Sequence, residues 1–114
     1  MNRVTRQAAQ GDVLIRKVDE LPVRVTKVKS NGKLVIAHSE TGHDHVVQDP
    51  NVVMYELPDN PLVCYLVAAN PFEVIHQRAF DTHAPLLLDG GGEAVWEVRR
   101  QREYIPEGWR RVED

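Results

Sequence analysis

Ala94-Val95-Trp96-Glu97-Val98-Arg99-Arg100-Gln101-Arg102-Glu103-Tyr104 sets Ala94, Trp96 and Val98 at every second position, with Glu97, Arg99, Gln101 and Glu103 in the opposite phase. Successive side chains of a strand point to opposite faces, so this stretch predicts a β-strand with one face in a core. Immediately upstream, Asp89-Gly90-Gly91-Gly92 predicts a turn, and His83 to Leu88 a further strand. Downstream, Pro106-Glu107-Gly108 turns the chain before a short charged end.

The same grammar extends back to the start. Strands are predicted for Val13 to Val18, Val23 to Lys29, Leu34 to His38, His43 to Val47, Val52 to Leu57, Leu62 to Ala68 and Phe72 to His76. Leu62 to Ala68 is apolar on both faces, as in a central strand covered on both sides. The breaks fall at Leu21-Pro22, Thr41-Gly42, Asp49-Pro50-Asn51, Pro58-Asp59-Asn60-Pro61 and Asn70-Pro71. Asn31-Gly32 reads as a hairpin turn, because both residue types tolerate positive φ. Gln77 to Thr82 reads as a loop. No helical period persists, and turn residues recur about every ten positions. The expected fold is all-β: a small barrel or two-sheet sandwich of 11–114, preceded by a flexible tail over 1–10.

With 114 residues, 42% hydrophobic and 27% charged, the chain has the make-up of one globular domain rather than of a disordered one. Its net charge of −3 gives no general attraction to nucleic acid or anionic membrane. The longest apolar run, Pro61 to Ala69, is too short to cross a bilayer as a helix. The N-terminal stretch carries Arg3 and Arg6 with no apolar run behind them, unlike a secretory signal. Cys64 is the single cysteine, which excludes an intramolecular disulfide and fits a cytoplasmic setting. Neither nucleic acid nor membrane is an expected partner; a small-molecule ligand and a homodimer through an edge strand are.

Five histidines remain to be explained: His38, His43, His45, His76 and His83. His43 and His45 are two apart on one predicted strand, so they share a face with Val47. Adjacent imidazoles can hold one metal ion at about 2.0–2.1 Å from each nitrogen when it is zinc. His76 is in phase with Phe72 and Val74, and His83 with Pro85 and Leu87, so both are expected to point inward. The predicted metal ligands are therefore His43, His45, His76 and His83, with His38 in reserve. Glu40 is the candidate carboxylate, as ligand, as acceptor for an imidazole N–H, or as general base. The competing explanation is that these histidines simply pack or lie at the surface.

Glu40-Thr41-Gly42-His43-Asp44-His45, with His76 and His83 further on, resembles a cupin-type metal site. That resemblance implies a His-x-His on one strand and a further His on a later strand of a small barrel. The cupin glutamate that follows the His-x-His has no counterpart here, because Val46 to Met54 contains no Glu. His76 or Glu40 would have to take its place. The chain also resembles a family of small uncharacterised bacterial and phage-borne proteins. The matching stretches are Gln10-Gly11-Asp12-Val13, Thr41-Gly42-His43-Asp44-His45 and Arg100-Gln101-Arg102-Glu103-Tyr104-Ile105-Pro106-Glu107-Gly108.

Other features carry less. Arg99, Arg100, Arg102, Arg110 and Arg111 lie among acidic residues, which reads as a strand face laced with ion pairs. Gly90-Gly91-Gly92 has no following Lys-Ser/Thr, so it is a strand connection and not a phosphate loop. Cys64 is expected to be a buried apolar residue. Two functions follow from the histidines. One is a metal-dependent enzyme using Zn, Fe, Mn, Ni or Cu on a small molecule. The other is a non-catalytic bacterial or phage accessory module, with a structural metal or none.

Overall fold

The structure is a computed structural model describing residues 2–37, 44–76 and 85–100. Eleven strands occur among the described residues, and no helix. In chain order they are β1 (Asn2–Val4), β2 (Gln7–Gln10), β3 (Val13–Val18), β4 (Thr26–Lys27), β5 (Leu34–Ala37), β6 (His45–Val47), β7 (Val53–Leu57), β8 (Asn60–Ala68), β9 (Phe72–His76), β10 (Leu86–Leu88) and β11 (Ala94–Arg100). They form two sheets, β1-β10-β9-β6-β5 and β2-β3-β11-β8-β7-β4. No ladder joins the two sheets among the described residues, so the architecture is a sandwich rather than a closed barrel.

The inner faces supply the core, as period-two alternation dictates. Ala94, Trp96 and Val98 of β11 meet Val13 and Ile15 of β3 and Leu66 and Cys64 of β8 on one side. Leu34, Val47, Phe72, Val74, Leu86 and Leu88 come from the other sheet. As expected from its composition, β8 lies centrally, between β11 and β7. Cys64 is buried, and burial followed by the charge of Glu56 pushes its thiol up to about 12.

Three expectations change. Residues 2–10 are not a tail: β1 pairs in parallel with β10 (Asn2↔Leu86, Val4↔Leu88), and β2 pairs with β3. A salt bridge from Arg3 to Asp89 (2.7 Å) helps tie β1 down. Asn31-Gly32 does not close a hairpin. The strands flanking it sit in different sheets, with β4 on β7 and β5 on β6, so the turn carries the chain across the sandwich. The predicted strand over Val23 to Lys29 reduces to the two residues of β4.

The outward face of β11 is also drier than its charge implies. Glu97 is only 5% exposed. Its Oε1 accepts hydrogen bonds from Arg99 Nε (2.7 Å) and Arg16 Nε (3.0 Å), and its Oε2 accepts one from Tyr65 Oη (3.2 Å). Cross-strand register makes this cluster, since Glu97 stands opposite Arg16 on β3 and Tyr65 on β8. Burial pushes the Glu97 carboxyl up, but the two guanidinium groups together outweigh it and hold it below its ordinary value. Burial and the Glu97 charge raise the Tyr65 hydroxyl.

Candidate functional site

β6 and β9 are antiparallel neighbours with His45 directly opposite His76. Both side chains point into the sandwich, in phase with Val47 and with Phe72 and Val74, as the sequence predicts. Their rings stack, with centroids 4.1 Å apart and planes 12° from parallel. Both are buried, His45 at 1% exposure.

The opposite sheet reaches this pair through the β2–β3 hairpin. Gln10 pairs with Val13, so Gly11 and Asp12 form a two-residue loop. Gly11 has φ +58°, whereas no non-glycine residue has positive φ among the described ones. Positive φ at the first loop position alone is the pattern of a type II′ turn, which suits the twist of paired strands and favours glycine there. The turn sets Gln10 and Asp12 against His45. Gln10 Oε1 lies 2.8 Å from His45 Nδ1, and Gln10 Nε2 donates to the Val74 carbonyl at 3.2 Å. Asp12 Oδ1 lies 3.4 Å from His45 Nε2.

The other predicted site residues, His38, Glu40, His43 and His83, lie outside the described residues. Their flanking residues share one end of the five-stranded sheet. β5 ends at Ala37 and β6 begins at His45, while β9 ends at His76 and β10 begins at Leu86. On β10, Leu86 and Leu88 are buried and Leu87 is half-buried. Among the described residues, no group of three or more His, Cys, Asp or Glu side chains is gathered as a metal ion needs.

Sequence reasoning passed over Gln10 and Asp12. Gln10-Gly11-Asp12 stood out only as a family stretch, and nothing local couples it to a histidine 35 positions away. The burial of Gln10 emerges only in the folded structure.

A family model described as a domain of unknown function, DUF8820, matches residues 9–101. The chain belongs to the DUF8820 family. The DUF8820 match begins inside β2 and includes the β2–β3 turn, His45 and His76, so the whole described site lies within it. Comparison with curated proteins and with solved structures finds no match. No helix among the described residues is long and apolar enough to cross a membrane.

Proposed function

We propose that the histidine-bearing end of the sandwich binds a divalent transition metal, with His43, His45, His76 and His83 as its imidazole donors. Zn, Fe, Mn, Ni and Cu all suit imidazole ligation. The observation that supports the reading is the inward cross-strand pair His45–His76, with the Asp12 carboxylate beside it. The donor set fits a metal: neutral imidazole and carboxylate are its ordinary protein ligands. The Gln10 contact to Nδ1 is the kind of partner that orients a ligating histidine through its second nitrogen.

In this reading the protein is a cytoplasmic, cupin-like bacterial or phage-borne metalloprotein acting on a small molecule, working alone or as a homodimer. The metal would supply Lewis acidity toward an oxygen of that molecule. Glu40 would serve as the base, and the core around Val47 and Val74 would keep the histidine end dry.

A second reading has its own support in the ring stack. Rings only 12° from parallel direct equivalent nitrogens along nearly parallel lines, so binding one ion through both requires them to splay. A structural module with two packed histidines needs no such movement. Melting of untagged protein separates the two. A metal held by the folded state at 100 times its Kd adds about 2.7 kcal/mol. Added zinc should then raise Tm, and chelator should lower it on protein as purified. A Tm indifferent to both supports the packed pair and rejects the metal.

A further inference from the structure

We propose that Gln10 is the positioning residue of the histidine end: it fixes His45 in the tautomer with its proton on Nδ1, so that Nε2 is the nitrogen through which His45 acts. The proposal rests on Gln10, His45 and Val74 and holds with or without a metal. Under the metal reading, Nε2 would be the ligating nitrogen. Without a metal, it remains an acceptor for a proton or a hydrogen bond.

The argument starts from the Gln10 amide. A backbone carbonyl only accepts, so the Gln10 group 3.2 Å from the Val74 oxygen is its NH2. Its oxygen is then the atom 2.8 Å from His45 Nδ1, and that oxygen also only accepts. Turning the amide over would set its oxygen against the Val74 oxygen, two acceptors at hydrogen-bond distance. Nδ1 therefore carries a proton, and in the neutral imidazole the lone pair is on Nε2. Free histidine favours the opposite tautomer, so a proton on Nδ1 calls for an acceptor aimed at it.

Burial gives this contact its force. Gln10 is 6% exposed and His45 1%, so bulk water does not compete for either group. Gln10 ends β2 of the six-stranded sheet, whereas His45 and Val74 belong to β6 and β9 of the five-stranded one. One amide therefore reaches across the core, holds the ring of β6 by Nδ1 and anchors itself on the backbone of β9. The pyrrole-type nitrogen is turned toward Gln10 and the pyridine-type nitrogen toward Asp12. Asp12 Oδ1 stands 3.4 Å from Nε2, longer than the about 2.7–2.9 Å of an imidazolium–carboxylate bond, as suits a lone pair there.

The test is the tautomer itself, read from long-range proton–nitrogen NMR spectra of the full untagged chain in chelator. At pH 8, well above the ordinary histidine pKa of about 6.5, wild type should show His45 with a proton-bearing Nδ1 and a lone-pair Nε2. A ring protonated on Nε2, alone or together with Nδ1, overturns the proposal. Gln10→Leu keeps the bulk and removes both amide contacts, so the proton should move to Nε2. Loss of packing alone would lower Tm without moving it, and an unchanged tautomer in the folded variant overturns the role of Gln10. If Gln10→Leu does not fold, Gln10→Glu decides. Its carboxylate still accepts from Nδ1, so that proton should stay; a bare Nδ1 overturns the proposal. Chelator is present throughout, so these outcomes do not depend on metal uptake, which the melting experiment judges separately.

Discussion

Replacing Glu97 with glutamine removes one negative charge while keeping the shape of the side chain. The magnitude follows from what the carboxylate holds. Two charge-assisted hydrogen bonds from Arg99 and Arg16 weaken, each of a kind worth about 1.5–3 kcal/mol when fully sheltered. They are not fully sheltered: the arginine side chains are 52% and 59% exposed, and water compensates much of the loss. The amide oxygen still accepts from one or both guanidinium groups, and the Tyr65 hydroxyl can turn to accept from the amide nitrogen. The net cost at pH 7 should be about 1–2 kcal/mol, or about 4–8 °C per kcal/mol in Tm for a domain near this size.

The pH dependence is more diagnostic than the magnitude. Glu97 has a folded-state pKa below its unfolded value. It therefore adds stability that is fully present above the unfolded value, about 4.3, and is lost as pH falls through the folded one. Urea unfolding of wild type and Glu97→Gln, followed by far-UV circular dichroism from pH 7 down to about 3, should show two curves that converge in acid. Variants within about 0.3 kcal/mol of each other at pH 7, or a gap that persists unchanged in acid, would refute the account of Glu97 as a charge held by two arginines.

Other expectations are simpler to check. Cys64 should be inert to a thiol reagent in the native protein at pH 8 and react fully once unfolded, because its thiol is buried and raised to about 12; native-state labelling at a free-thiol rate would contradict the burial. A Cβ at Gly90 would collide with Ala94 Cβ, so Gly90→Ala should destabilise by about 1–3 kcal/mol in thermal or urea unfolding. An unchanged Tm in that variant would mean that the β10–β11 connection runs differently. Truncating Trp96 to alanine should cost about 3–5 kcal/mol, as it empties a fully buried position at the centre of the large sheet. A loss below about 1 kcal/mol in urea unfolding would place Trp96 outside the core.

What the sequence revealed depended on the distance over which each signal acts. Alternation is local, so the inward phase of Trp96 and Val98, and of His45 with Val47, could be read directly. Pairing is not local. Asn31-Gly32 has the composition of a hairpin turn, but turn chemistry does not say whether the flanking strands pair with each other or lie in opposite sheets. The β1–β10 pairing joins residues more than eighty positions apart through Asn2↔Leu86, with no local trace in a polar ten-residue stretch. Leu86-Leu87-Leu88 is apolar at every position, so its phase carried no information, and the placement of His83 inherited that ambiguity. Glu97 looked solvated because its partners, Arg16 and Tyr65, come from strands distant in sequence. The histidine pair was legible because each half has its own apolar phase. Gln10 and Asp12 were not, because a tight turn explains Gly11-Asp12 without any reference to the strand it faces.

The central claim is that the paired histidines serve a metal. Elemental analysis of protein purified without a histidine tag tests it most directly, with His43→Ala/His45→Ala as the comparison. The account predicts about one equivalent of a transition metal in wild type, after metal addition if necessary, and its loss in the double variant. Less than about a tenth of an equivalent in wild type, with no gain on adding metal, would contradict it and leave His45 and His76 as a packed pair.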